Sequence, residues 1–546
     1  MREAAVKNQA FSLLPIGGVG EIGSNMTLLT YQGGKVLIDC GLLFPYENFF
    51  DINYLVPDVS DLALDDLAAI IITHGHEDHI GGLTYFLKKF PETPIYATGF
   101  TQDLIKRKTE EAGMAPTFVL YHDSDVLKFG NITIHPIHVT HSIPETNGLF
   151  IRDNSGQWGA LYISDFKFDL APKHERPFDI QKIKDLTKTC KKTAYFIDST
   201  NALVPGKTAS ETDLLPDLES LVAGKEDRLF ITLFASNVHR MSAICQMAKR
   251  HDRKIVLMGR SVEHYLRVGL AHGYMGEIAD SDLWNPAQVK GESGRMLIIV
   301  SGCQGDYQSA LRRLSAGEDA TFRLQSEDKV VFSSKVIPGN EKQISRIMND
   351  ISESGAQVVT AYDGHIHASG HPAQEDLLAM LKEQAPDVYF PIHGESFFLQ
   401  RHQQWLKQHF PQIESEVILN WTSVVFTLDG KWKQVKVDER EPLLIHGKGL
   451  VIERTQISQR RKMACQGSVF ISLDRVRGQA LISSAGLPIA AAELLPKVRE
   501  LIMNRIRSDL GGRQEDYARD QIRILTRQFF QQELGYKPVT EVHLLT

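Results

Sequence analysis

The chain has 546 residues, 42% of them hydrophobic and 23% charged, and a formal net charge of −7. That length accommodates about two to four domains with a large buried core. The negative balance argues against a generally basic, polyanion-binding surface but leaves room for a local basic track, with 249–254 and 460–462 as candidates that each read more simply as solvated surface. Five scattered cysteines, Cys40, Cys190, Cys245, Cys303 and Cys465, form no CxxC pair, so no disulfide framework is expected. Residues 1–17 hold no apolar run of signal-peptide length and no run is long enough to span a bilayer, so a cytoplasmic protein without a membrane anchor is expected.

In chain order, short apolar and β-branched runs at 36–38, 68–72, 132–139 and 161–164 predict strands. They alternate with turn signals and helix-like stretches, which indicates an α/β architecture. A chemistry-bearing residue stands where each strand stops: Asp39, His74, His141 and Asp165. Strand ends converging on one rim make a site. The densest of them is Thr73-His74-Gly75-His76-Glu77-Asp78-His79, three imidazoles and a carboxylate within six positions. Two apart in an extended segment, His74 and His76 project to the same side, and Gly75 lets the backbone turn tightly between them. Asp78 and His79 fall where a helix is predicted over 80–90, which aims them at a second position. The outline is a binuclear metal site with an open place for water; a surface histidine cluster is the alternative.

From 208 to 355 a separate α/β unit is predicted, with strands at 229–234, 254–258, 296–300 and 329–333. Gly-, Ser- or Asn-rich turns follow these strands, suited to phosphate groups or simply βα turns. Histidines resume at His365, His367, His371 and His393, so the first domain, 1–207, is expected to continue over 356–441. The stretch 442–460 reads as a polar, irregular linker. Beyond it, 461–546 is expected to be a small α+β unit with strands at 468–473 and 539–545 and a helix over 492–506, its apolar stripe formed by Leu495, Val498, Leu501, Ile502 and Ile506.

Taken together, Asp39, the His74 to His79 motif, His141 and Asp165 resemble the metal-binding motifs of the metallo-β-lactamase fold. Three later motifs, Asp198 in Phe196-Ile197-Asp198-Ser199-Thr200-Asn201, His371 in His367-Ala368-Ser369-Gly370-His371, and His393 in Pro391-Ile392-His393-Gly394-Glu395, look like those of the β-CASP nucleases. Further text, including Gly20-Glu21-Ile22-Gly23, His141-Ser142-Ile143-Pro144, Asp165-Phe166-Lys167-Phe168-Asp169, Phe234-Ala235-Ser236-Asn237 and Ile337-Pro338-Gly339-Asn340-Glu341, resembles the bacterial ribonuclease J family from end to end. Cys303, Asp306 and Glu145-Thr146 depart from its usual text without removing a ligand.

The resemblance implies a metallo-β-lactamase αββα sandwich with an inserted β-CASP domain and a small C-terminal domain. It implies two Zn²⁺ per subunit, with Mn²⁺ as an alternative: His74, His76 and His141 on one metal, Asp78, His79 and His393 on the other, Asp165 between them, and Asp39 orienting the histidine loop. It also implies catalytic roles for Asp78, for His371 as general acid and for Asp198 as its orienter. A terminal-phosphate pocket is expected from Ser236, Asn237, Arg260, His367, Ser369 and Gly370. The implied activity is hydrolysis of single-stranded RNA, 5′ to 3′ with preference for a 5′-monophosphate and also endonucleolytically. The expected assembly is a homodimer or homotetramer, with partner proteins of RNA degradation. A DNA-directed β-CASP nuclease and a non-catalytic RNA-binding scaffold are the alternatives; by resemblance, His393 argues for RNA.

Overall fold

In the larger unit the apolar runs become strands because both of their faces are largely covered. In the strand Leu67–Ile71 and the residue that follows it, Ala69 and Ile71 pack into one core cluster while Ile70 and Ile72 pack into another. Each such fully buried branched side chain contributes roughly 1.5–3 kcal/mol relative to exposure. The computed structural model describes residues 8–45, 52–172, 175–306, 308–447, 449–474, 477–507 and 514–545. It divides into a larger unit over 1–46 and 55–442 and a smaller one over 47–54 and 443–546.

Two sheets face one another in the larger unit. The first has eight strands in the order 432–436, 422–427, 9–17, 26–31, 34–38, 67–71, 95–97 and 118–120, and the second has seven in the order 414–415, 388–392, 192–198, 158–163, 147–153, 132–138 and 127–129. Between them lies an apolar layer that includes Phe11, Leu29 and Ile71 from one sheet and Ile134, Phe196 and Phe390 from the other. Helices close the outer faces, with Leu83–Lys89 and Gly99–Glu111 on the first and Gln374–Glu383 and Ser396–His409 on the second. The expected αββα layering results.

The single helix predicted over 80–90 is instead two, Glu77–Ile80 and Leu83–Lys89. Gly81 and Gly82 form the joint because it is pressed onto the 40–42 loop: an added Cβ would lie 2.3 Å from Leu42 Cδ2 at the first and 2.5 Å from the Gly41 carbonyl at the second. The inserted unit is a parallel sheet in the order 283–284, 254–258, 296–300, 228–232, 329–332 and 357–359. Its last strand runs past the boundary expected at 355, because Val358 and Val359 pair with Val330 and Val331.

In the smaller unit the strand Ser468–Asp474 is central, antiparallel to Gln479–Ala485 and parallel to Val539–Leu545. Val469, Ile471 and Leu473 meet Val498 and Ile502 of the helix Leu495–Arg505 and Ile522 and Phe530 of the helix Glu515–Leu534. The stretch expected as an irregular linker, 442–460, is ordered otherwise. It carries the antiparallel strands Leu443–His446 and Leu450–Ile452, and from Arg454 the helix Arg454–Gln466. Glycines with φ of 57° and 90°, Gly447 and Gly449, turn that hairpin. All five cysteines are free, and among the described residues no helix is long and apolar enough to cross a membrane.

Candidate active site

The histidine motif leaves the end of the strand Leu67–Ile71 and is fastened by Asp39, which ends the neighbouring strand Gly34–Ile38. Asp39 adopts a left-handed φ of 60°, a conformation that is uncommon outside glycine and costs on the order of 1–3 kcal/mol. Its carboxylate accepts from the Thr73 amide at 2.8 Å, from the Thr73 hydroxyl at 2.9 Å and from His79 Nδ1 at 2.8 Å. With its proton on Asp39, Thr73 Oγ1 accepts from His74 Nδ1 at 3.0 Å. The short helix after the motif is held by its own backbone, with the Asp78 carbonyl accepting from Asn25 N and the His79 carbonyl from Cys40 N. Gly75 does not take a left-handed turn; it is small because an added Cβ would lie 2.5 Å from Leu104 Cδ1.

The same polarity recurs at the other imidazoles. His141 Nδ1 donates to the Gly370 carbonyl at 2.7 Å, His393 Nδ1 to Thr200 Oγ1 at 2.9 Å, and His76 Nε2 to Ser236 Oγ at 3.0 Å. Every one of the five rings therefore spends an N–H outward and turns its other nitrogen inward. His76 Nδ1 lies 3.0 Å from His74 Nε2 and 3.2 Å from His141 Nε2. Burial, assisted by neighbouring histidines, holds His74 and His141 well below the ordinary histidine value, and holds His76 down at about 4, so these three lone pairs face one another with no proton between them. That arrangement is repulsive unless a cation occupies it.

Asp165 stands between two such groups. Its Oδ1 is 3.8 Å from His141 Nε2, while its Oδ2 is 2.9 Å from His79 Nε2 and 3.4 Å from His393 Nε2. Asp78 Oδ2 is 3.6 Å from His79 Nε2 and 3.7 Å from His393 Nε2, and Asn25 Nδ2 donates to both Asp78 and His79. Burial opposes charge on His79 and His393, but the surrounding carboxylates, Asp165 foremost, outweigh it: His79 is raised to about 10 and His393 well above its usual value. Asp165 Oδ2 and His393 Nε2 are buried with no hydrogen-bond partner among the described residues. Triplets of donor atoms, including His74, His76 and His141 and also Asp78, His79 and His393, each lie within 4.8 Å of one another. Oriented imidazole lone pairs and carboxylate oxygens fit divalent metal ions.

Beside this centre His371 Nδ1 donates to Asp198 Oδ2 at 2.7 Å and its ring stacks on His393 with centroids 5.6 Å apart. Burial works against a charged His371, but Asp198 and then Asp165 raise its pKa above the ordinary value. Asp198 is itself held down at about 2, against its own burial, chiefly by His371. No described residue hydrogen-bonds to His371 Nε2.

The residues expected around a terminal phosphate are only partly brought together. Ser236 reaches the centre through His76. Ser369 Oγ accepts from Asn201 Nδ2 at 2.8 Å and from the His371 amide at 3.2 Å, which leaves its proton to give away. Gly370 packs on His141, where an added Cβ would lie 2.7 Å from Cε1. Asn237 does not present its amide: Oδ1 caps the helix Val238–Arg250 and Nδ2 donates to Glu211 at 3.2 Å. Nor does Arg260 join the cluster. It follows the strand Lys254–Met258, two strands from the one that leads to Ser236 and thus about 9–10 Å aside at the sheet, and it lines a separate cavity of about 970 Å³ with Ser261, Ser301, Ser309 and Arg312. Sequence reasoning missed Thr73, Thr200, Asn201, Glu211 and Arg240, polar partners that no ligand spacing marks.

Comparison with known proteins gives three family matches: "Ribonuclease J, beta-CASP domain" over 226–351, "Metallo-beta-lactamase superfamily" over 19–150, and "Zn-dependent metallo-hydrolase RNA specificity domain" over 364–418. The chain is 32% identical to ribonuclease J of Synechocystis over 532 residues, covering 94% of this chain and 81% of the relative. It is 31% identical to ribonuclease J of Thermus thermophilus, covering 96% and 94%. Among solved structures, a protein of unknown function from Enterococcus faecalis aligns with a TM-score of 0.53 at 15% identity, over 76% of this chain and all of that one, a likeness of fold alone.

Proposed function

We infer the course of the reaction from one premise: the chain belongs to the ribonuclease J family and is a metal-dependent ribonuclease. Two Zn²⁺ ions per subunit, with Mn²⁺ as the alternative, suit the mixed imidazole and carboxylate donors. His74, His76 and His141 would hold one and Asp78, His79 and His393 the other, with one oxygen of Asp165 for each. Bound there, such ions would lower the pKa of a water towards about 7 and neutralise charge on the phosphoryl group. The observation that carries this reading is the placement of Asp165, whose two oxygens face two separate imidazole groups.

The protein's own groups supply the remaining steps. Asp78 sits at the edge of the centre, where its carboxylate can orient the attacking water. His371 gives its Nε2 proton to the leaving oxygen, while Asp198 holds the Nδ1 proton and so keeps the ring charged and Nε2 aimed outward. Ser236, His367, Ser369 and Gly370 receive a 5′-terminal phosphate, so that single-stranded RNA is degraded 5′ to 3′ from a monophosphate and is also cut internally. Large apolar side chains exposed on the smaller unit, including Leu481, Ile489 and Leu545, support a homodimer or homotetramer. The protein acts in the cytoplasm, together with other proteins of RNA degradation.

Metal analysis combined with cleavage of matched RNAs tests the reading. The expected result is two equivalents of metal, faster degradation of 5′-monophosphorylated than of 5′-triphosphorylated RNA, and faster cleavage of RNA than of matched DNA. His76→Ala combined with Asp78→Ala should abolish cleavage; intact activity in that variant overturns the site.

A further inference from the structure

We propose that Arg240 is a positioning residue of the terminal-phosphate pocket, holding His367 as a neutral imidazole whose only proton is on Nε2. This rests on the reading that His367 contacts the 5′ phosphate.

Arg240 is 2% exposed and its guanidinium is fully engaged. Nε and Nη2 donate to the two carboxylate oxygens of Glu211 at 2.9 and 2.7 Å, Nη2 also to the Ala368 carbonyl at 3.0 Å, and Nη1 to the Ser333 carbonyl at 2.7 Å and to His367 Nδ1 at 3.2 Å. A guanidinium has no lone pair to offer. His367 Nδ1 must therefore be the acceptor, and the ring keeps its proton on Nε2. The Ser333 carbonyl, one of whose two lone pairs accepts from Arg240 Nη1, also lies close to this ring, but a proton on Nδ1 would confront the Arg240 N–H that is aimed at that nitrogen.

The charged groups around His367 agree. Burial first, then the charge of Arg240, with a smaller contribution from Lys335, outweigh Glu211 and the Ser333 carbonyl and hold the imidazole down at about 3. Ser369 is treated alike: Asn201 and the His371 amide occupy its oxygen and direct its proton outward. The pocket thus presents uncharged donors whose direction is set from behind, and a phosphate, which has only acceptors, is the ligand they match. Since His367 stays neutral throughout, the pocket's preference for a terminal monophosphate should not change with histidine protonation between pH 6 and 8.

The test uses the full-length, metal-loaded enzyme and the ratio of kcat/KM for 5′-monophosphorylated over 5′-hydroxyl RNA, measured from pH 6 to 8. The wild-type ratio should vary only as the RNA phosphate itself titrates. Arg240→Lys should lower the ratio about tenfold across pH 6 to 8, because burial still keeps the ring neutral while its proton is no longer confined to Nε2. An unchanged ratio, with kcat/KM for both RNAs lowered alike, would signal mere structural damage and overturn the proposal. Should Arg240→Lys fail to fold, His367 itself decides: His367→Gln, which keeps an uncharged N–H near Nε2, should stay within about threefold of wild type, whereas His367→Asn should lose about tenfold. The reverse order refutes the tautomer. If His367→Ala leaves the ratio untouched, the pocket reading fails; if it collapses the ratio while Arg240→Lys behaves as wild type, only the role of Arg240 fails.

Discussion

At the scale of single residues, every imidazole proposed to hold a metal has its other nitrogen bonded to an acceptor. Asp39 is the most connected of these supports, holding Thr73 and His79 directly and His74 through Thr73. Asp39→Ala is expected to weaken metal binding about 10- to 100-fold without removing a ligand; chelator competition measures this, and unchanged affinity would dismiss the role. His371 must carry a proton to act as an acid, so activity should fall as pH rises through its pKa. Asp198 raises that pKa, and Asp198→Asn should therefore move the alkaline limb of the pH–rate profile to lower pH. His371→Ala should cost about 10²–10⁴ in kcat. The seven proposed ligands were legible in the sequence because their side-chain types are rare together and stand at strand ends. Glu211 and Arg240 were not, since a buried ion pair has no spacing rule: its meaning comes from Ser333, His367 and Ala368, which only the fold delivers to it.

At the scale of elements, the apolar runs predicted as strands form at nearly the expected positions, with both faces largely buried in the larger unit and one face in the smaller. What the pattern did not disclose was close approach. The helix expected over 80–90 breaks at Gly81 and Gly82 against the 40–42 loop, and a Cβ on Gly41 would sit 1.6 Å from the Asp78 carbonyl. Gly41→Ala should accordingly push the Asp78 and His79 turn away from the centre. We expect a loss of about 1–3 kcal/mol of stability in urea melts, as for other overpacked sites, together with weaker metal binding; wild-type behaviour in both would show that the turn yields freely. The hairpin at 443–452 escaped notice for a related reason. Two short apolar triplets are too brief to show alternation, and charged residues on either side dominate the composition.

At the scale of the whole molecule, the larger unit brings the metal-facing groups together, and the smaller unit displays apolar side chains that its own core does not use. Leu481 and Ile489 are 74% and 88% exposed. If they bury against a second copy, light scattering should give a solution mass of two or four chains, and Leu481→Asp with Ile489→Asp should reduce it to one; a wild-type monomer would remove the oligomer. Sequence alone indicated that the inserted unit interrupts the first domain, because histidines reappear after it. Order of synthesis follows from that interruption. The chain makes His74, His76, Asp78, His79, His141 and Asp165 early, but the Gly370 carbonyl that accepts from His141, the proposed acid His371 and the proposed ligand His393 are made only after the whole insertion. A ribosome translating this message thus carries an unfinished set of the proposed donors until the insertion has been made.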